Sequence, residues 1–261
     1  MWALVTGASS GIGLCYAQCL ARDYRADLIL VSNQERELFA AAESIASNYG
    51  VEVRQICLDL AQSDSADRLY KFATENKFEI DILVNNAGFF FFDSYIRATE
   101  QKIESMLMLH VVTVAKLTRL FGADMCRRGR GYVLNMSSLS AWMPYPAIQT
   151  YNSTKAFVYN LTRSLRPEFR LKGVNVMVVT PGAVDTSLYS LSPRTRRLCV
   201  ILGIMIPPEK LARRALKRLF AGRGRCMPGL INHIARPFCL MLPECIINAI
   251  IKKVSEKKWE K

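Results

Sequence analysis

The chain has 261 residues, 51% hydrophobic and 22% charged, a composition that excludes a disordered chain and suits one α/β domain with its own core. Its net charge of +13 is uneven: residues 1–189 hold 19 basic and 18 acidic residues, whereas residues 190–261 hold 16 basic and four acidic, a net +12. The first part reads as a neutral domain, and the end as a region that meets something anionic. Eight cysteines form no C-x-x-C pair and there are two histidines, so no metal site is expected. The cysteines are expected to be reduced packing residues.

The first 180 residues alternate short apolar runs with longer amphipathic stretches. The runs Trp2–Thr6, Asp27–Val31, Val51–Leu58, Ile80–Val84, Gly131–Met136 and Val174–Thr180 predict strands. They are rich in Val, Ile and Leu without clean alternation, as in strands covered on both faces. Helices are predicted between them near 11–24, 34–49, 63–76, 99–127 and 149–171. This alternation gives an α/β fold with a doubly wound parallel sheet in a single domain.

After Pro181 the pattern changes. An arginine cluster (Arg194, Arg196, Arg197) and a short apolar run, Leu198–Ile206, lead to Pro207-Pro208. A basic helix is predicted over Glu209–Phe220 and a last strand over Cys226–Leu230. Pro237–Ile251 is mostly apolar but broken by Pro243 and Glu244, and Lys252, Lys253, Lys257, Lys258 and Lys261 follow. Neither apolar run reaches the roughly 20 residues that cross a bilayer. At the start, Trp2–Val5 runs straight into a glycine-rich turn with no basic region or cleavage site before it, so no secretory signal is expected.

That turn reads Thr6-Gly7-Ala8-Ser9-Ser10-Gly11-Ile12-Gly13, between a strand and a helix. The spacing Gly-x3-Gly-x-Gly in this context fits the pyrophosphate of a dinucleotide. Glycine permits the tight turn and lets backbone N–H groups of the Gly7–Gly13 segment approach the anion, while the helix N-terminus adds donors and partial positive charge. Asp59-Leu60, after the third strand, can hold an adenine ring. Asn85-Asn86-Ala87-Gly88 follows the fourth strand, where small residues let the chain pass close to a cofactor and Asn85 can tie neighbouring strands. The second strand ends Val31-Ser32-Asn33-Gln34-Glu35-Arg36. Positions 32–33 carry neither Asp nor Glu, Ser32 and Asn33 are neutral donors, and Arg36 lies one turn on, so NADP(H) is expected in preference to NAD(H).

Ser138 closes the fifth strand segment, and Tyr151 and Lys155 open the next helix four residues apart, on one face. A nearby ammonium favours the phenolate and pulls the phenol down from its ordinary pKa of about 10. Tyr151 can then give a proton to a carbonyl oxygen or take one from an alcohol, with Ser138 donating to the same oxygen.

Thr6–Gly13, Asn85–Gly88, Ser138, Tyr151, Lys155 and Pro181-Gly182 together resemble, in order and spacing, the motifs of the short-chain dehydrogenase/reductase family, over roughly residues 2–190. The resemblance implies a Rossmann fold and a nicotinamide-dependent oxidoreductase. It implies that Tyr151 is the acid/base, that Lys155 binds the nicotinamide ribose and lowers the tyrosine pKa, and that Ser138 orients the substrate. It implies that Pro181, Gly182, Val184 and Thr186 flank the nicotinamide, and that the long helices build a homodimer or homotetramer. Residues 1–190 are then the dinucleotide-binding and catalytic core, 191–236 complete the same domain, and 237–261 form a basic, amphipathic extension. One position departs from the family, which usually places Asn, holding a water in a proton relay, where this chain has His110. Imidazole can also hold a water or pass a proton, or His110 can simply pack.

Phe89–Phe92 follow the cofactor loop and, with Trp142, Met143, Tyr145 and Leu188, predict an apolar, aromatic mouth. The basic end beside short apolar runs resembles an interfacial anchor for an anionic membrane surface. Both features fit a ketone carried on a lipid, of the kind reduced by 3-ketosphinganine, long-chain 3-oxoacyl and steroid reductases. A cytoplasmic protein, peripheral on a membrane, is the corresponding expectation. Nucleic-acid binding is not expected, because the basic stretch has no recognised motif or interleaved aromatic platform. Two alternatives stand beside this reading. One is a soluble reductase of a small carbonyl compound. The other is a weakly catalytic nucleotide-binding protein at a membrane surface, against which the intact Ser138, Tyr151 and Lys155 set argues.

Overall fold

The computed structural model describes residues 1–143, 145, 147–186 and 192–229, with the short pieces 232–233, 245–246 and 248–249. Its centre is a parallel sheet of β1 (Trp2–Thr6), β2 (Asp27–Ser32), β3 (Val53–Cys57), β4 (Ile80–Asn85), β5 (Gly131–Met136), β6 (Val174–Val179) and β7 (Arg225–Cys226). The strand order is β3-β2-β1-β4-β5-β6-β7, which reverses direction beside β1. That reversal opens a crevice at the carboxyl ends of the strands.

Side chains alternate across each strand, so a strand buried on both faces feeds two cores. Ala3, Val5, Leu28 and Leu30 face one core, closed by α1 (Gly11–Tyr24), α2 (Glu35–Tyr49) and α8 (Pro208–Phe220). Leu4, Ile29 and Val31 face the other, closed by α3 (Ser65–Glu75), α5 (Thr113–Arg128) and α6 (Gln149–Leu171). The predicted strands therefore form where their apolar runs lie. β3 is shorter than expected because it is the sheet's edge and carries the polar Arg54 and Gln55. β7 is two residues long, since Pro228 removes a ladder donor just beyond it.

Two local features differ from expectation. The long helix predicted over 99–127 is α4 (Glu100–Leu107), a π turn over Met108–Val112 and α5 in continuous succession. A helix, α7 (Pro193–Ile201), occupies the arginine cluster, started by the Ser192 hydroxyl accepting from Thr195 N–H and by Pro193 in its first turn. The expected mouth residue Leu188 and most of the carboxyl-terminal apolar and basic run lie outside the described residues. Among the described residues, one helical stretch, Glu100–Arg128, is long and apolar enough to cross a membrane. Its Leu117, Phe121 and Met125 are packed in the core, which accounts for that apolarity.

α8 turns Leu211, Ala215 and Leu219 into the core and its cations outward. It is pinned to α1 by Arg22–Glu209 (3.1 Å) and Arg213–Asp23 (3.6 Å).

Candidate active site

The strand ends open onto one cleft of about 680 Å³. Gly7, Ser9, Ser10, Gly11 and Ile12 form one wall, Asn33, Asp59 and Leu60 one end, and Asn86, Ala87 and Gly88 the floor beside β4. Ser138, Tyr151, Lys155, Pro181, Gly182, Val184 and Thr186 surround the other end. Gly13, Arg36 and His110 are not part of the wall. Gly13 lies beneath the turn, where a Cβ would collide with the Gly7 carbonyl oxygen, so it permits the packing and does not face the cleft. Arg36 is exposed on the first turn of α2.

The turn is held by main chain: Gly7 N–H donates to Val31 C=O at 2.7 Å, with Gly7 at φ +66°. That positive φ is what glycine supplies at no steric cost. A Cβ there would also stand 2.8 Å from Ala87 Cα. The Thr6 hydroxyl accepts from Asn86 N–H (2.9 Å) and Ala87 N–H (3.0 Å), locking the β4 loop to the turn. Asn85 donates to Asn135 Oδ1 (2.8 Å) and Thr118 Oγ1 (3.1 Å) and so ties β4 to β5 and α5.

The donor set fits a dinucleotide. Ser10 precedes α1 without capping it, and the first turn of α1 carries no acidic side chain, so its amides are suited to an external anion. At the end of β2, Ser32 donates to Ser9 Oγ (2.9 Å) and Ser9 to Gln34 Oε1 (2.8 Å), a neutral hydroxyl and amide cluster without a carboxylate. Gln34 lines the cleft, as does Ser32. Sequence reasoning passed over Gln34, although its place directly after the strand end was the available signal.

At the other end Ser138 Oγ accepts from Ser140 N–H (3.1 Å), which leaves its own proton to donate. Lys155 is 6% exposed, its Nζ donates to Met136 C=O (3.1 Å) and stands 5.5 Å from the Tyr151 ring centroid. Burial pulls the Lys155 ammonium down to about 8. Ser137 Oγ donates to the Lys155 carbonyl at 2.7 Å and fixes this turn to β5. Phe90 meets the Tyr151 ring edge-on at 5.3 Å, and Phe89 and Phe90 line the cleft. Trp142 packs on Tyr159 at 4.7 Å, and Trp142, Met143 and Tyr145 are not among the described lining residues of the cleft. A proton donor, a second donor and a buried cation thus line the same end of the cleft, a set able to protonate a carbonyl oxygen.

His110, open in the sequence between a relay and a packing role, is buried and is not a cleft residue. Its Nε2 accepts from Phe89 N–H (3.2 Å) and its Nδ1 lies 3.1 Å from Thr154 Oγ1, so both ring nitrogens are engaged by the protein. Thr154 escaped the sequence reading because nothing in Tyr-x3-Lys marks the residue before the lysine.

The sequence model of the short chain dehydrogenase family matches residues 1–196. The chain belongs to that family. This short-chain dehydrogenase is 36% identical over 198 residues to the very-long-chain 3-oxoacyl-CoA reductase-A of Danio rerio, covering 74% of this chain and 61% of that protein. It is 34% identical over 189 residues to 17-beta-hydroxysteroid dehydrogenase type 3 of Mus musculus, covering 72% of this chain and 61% of that protein. The chain thus spans about 61% of the length of these two relatives. A solved short-chain dehydrogenase from Sphingobium yanoikuyae in complex with NADPH superposes with a TM-score of 0.79 at 26% identity, over 100% of this chain and 97% of that one.

Proposed function

We propose that this short-chain dehydrogenase interconverts a ketone and a secondary alcohol with NADP(H), acting on an apolar, lipid-like substrate. The observation that carries the reading is the meeting of Tyr151, Lys155 and Ser138 in the cleft that the glycine turn also lines. The turn and the first amides of α1 hold the pyrophosphate, and Lys155 and the Pro181–Thr186 segment hold the nicotinamide end. When bound, the nicotinamide supplies or accepts the hydride. Tyr151 gives its proton to the substrate oxygen, and Ser138 donates a second hydrogen bond to the same atom. The buried Lys155 ammonium favours the phenolate left behind.

The neutral Ser9, Ser32, Asn33 and Gln34 cluster supports NADP(H) over NAD(H), since a carboxylate at that place would repel a 2′-phosphate. Phe89 and Phe90 on the cleft wall support an apolar ketone, as do relatives named for 3-oxoacyl-CoA and hydroxysteroid substrates. The net +12 of residues 190–261 supports approach to an anionic lipid surface. Leu107 and Phe157, apolar and exposed on α4 and α6, support a homo-oligomer built on the long helices. NADPH oxidation with 3-ketosphinganine, a long-chain 3-oxoacyl thioester, a ketosteroid and a small diketone tests the proposal, with NADH in parallel. Selective turnover of a long-chain or steroid ketone with NADPH is expected. Turnover of the diketone alone would remove the lipid part, and no turnover with any ketone would remove the oxidoreductase reading.

A further inference from the structure

His110 is 1% exposed and sits in the π turn Met108–Val112. Such turns inside a helix recur at functional sites. Its two hydrogen bonds fix its protonation. Phe89 N–H can only donate, so Nε2 carries no proton. Thr154, also 1% exposed, donates its single hydroxyl proton to the Tyr151 carbonyl at 2.8 Å, so it accepts from Nδ1–H. The ring is therefore the neutral Nδ1–H tautomer. An imidazolium would turn a second N–H at Phe89 N–H and stand beside Lys155. Burial and that lysine both push the His110 pKa well below its ordinary 6.5. Among the described residues, the titratable side chains facing the ring are Lys155 and Tyr151, both on α6, with Tyr151 edge-on at 5.8 Å. The loop after β4 brings the Phe89 N–H and the Phe89 ring. Gly88 admits the imidazole, since a Cβ there would lie 2.8 Å from Nε2.

The chain of contacts runs from the Phe89 main chain through His110 and Thr154 to the Tyr151 carbonyl. Phe89 belongs to the cleft wall, and Tyr151 carries the proton of the proposed reaction. We infer that His110 is a positioning residue: through Thr154 it fixes the turn of α6 that carries Tyr151 to the main chain of the Phe89 loop. Its catalytic consequence rests on the reading in the preceding subsection; the crossbar itself does not. The crossbar sets the distance between the loop beside the cofactor and the phenol, a distance to which such a reaction is sensitive: a 1 Å misplacement can lower a rate about 100-fold.

The test uses the full chain and begins without any variant. With two histidines in the sequence, nitrogen-15 NMR of the imidazoles assigns His110 by comparison with His233→Gln. The expected spectrum is a fixed Nδ1–H tautomer that does not titrate between about pH 5 and 8. An Nε2–H ring, or one titrating at an ordinary histidine pKa, would overturn the inference. Thr154→Val, which keeps the shape and removes the hydroxyl, is expected to release the tautomer and speed hydrogen exchange at Phe89 N–H. Its kcat for ketone reduction should fall about 10-fold or more with KM for NADPH changed by less than about 3-fold. Thr154→Ser should restore both the tautomer and kcat to within about 3-fold of the wild type. Wild-type exchange at Phe89 in Thr154→Val would contradict the crossbar. If the wild type turns over none of the ketones, the oxidoreductase reading falls, while the tautomer and the exchange rates still decide the crossbar.

Discussion

The two ends of the cleft are built differently. Around the end of β2 the groups are neutral and short: Ser9, Ser32 and Gln34 pass hydrogen bonds among themselves at 2.8–2.9 Å, and Asn33 and Gln34 are exposed. Around Tyr151 the supporting groups are buried and charged or locked by shared protons: Lys155 at 6% exposure, and His110 and Thr154 at 1%. The first arrangement can adapt to the ligand it meets and, in the proposed function, discriminates by which charges it lacks. The second sets electrostatics before any ligand arrives, because a charge in a low-dielectric site acts strongly and is costly to keep.

Substitutions at the chemical end should therefore be severe, and substitutions at the β2 end should change preference. Tyr151→Phe tests the first half of that contrast most strongly: kcat for ketone reduction should fall about 100-fold to 10,000-fold, with NADPH binding by fluorescence retained. Lys155→Met should also remove most of the activity while the fold persists. The native Lys155 pKa, about 8, lies below the ordinary 10.5, so the folded state disfavours the ammonium below pH 8 and that penalty is relieved as pH rises from about 8 to 10.5. The wild type should gain stability over that window relative to Lys155→Met, as read by urea midpoints. At the β2 end, Asn33→Asp should raise KM for NADPH about 10-fold or more and lower it for NADH, with kcat little changed. NADPH kinetics equal to wild type would remove the charge argument there.

The smallest effect concerns acid stability. His110 has a native pKa well below 6.5, so unfolding takes up a proton at that site below about pH 6.5. Its contribution to stability is present above that pH and lost as pH falls. Exchanging it for a group that does not titrate, His110→Asn, should flatten the acid limb of the stability curve by about one proton's slope, as measured by urea midpoints from pH 4.5 to 7.5.

Much of this was legible in the chain. Runs such as Leu28–Val31 and Val176–Val179 are apolar on both faces, which a strand needs when helices cover both sides, and they locate the sheet. The glycine turn and the Ser138, Tyr151 and Lys155 set are local patterns, and they meet because the parallel strands end on one edge of the sheet and α6 starts beside it. What was not legible depends on contacts between distant residues. His110 stands 44 residues from Thr154, so its role as a brace could not be told from a relay by position. The π turn that presents it leaves no periodic signature in Met108–Val112. α7 was missed because its arginines hide the helical pattern, although Ser192-Pro193 was a start signal. The contact between Trp142 and Tyr159 has no signature in the sequence either.

The central claim is that a buried ammonium on α6 governs proton transfer by Tyr151. The direct measurement is the pH profile of kcat for reduction of an accepted ketone by the wild type and by Lys155→Met. The account predicts that wild-type reduction declines as pH rises through about 8, and that the residual activity of Lys155→Met declines only toward the ordinary phenol range, about 10. A decline at the same pH in both proteins would contradict it.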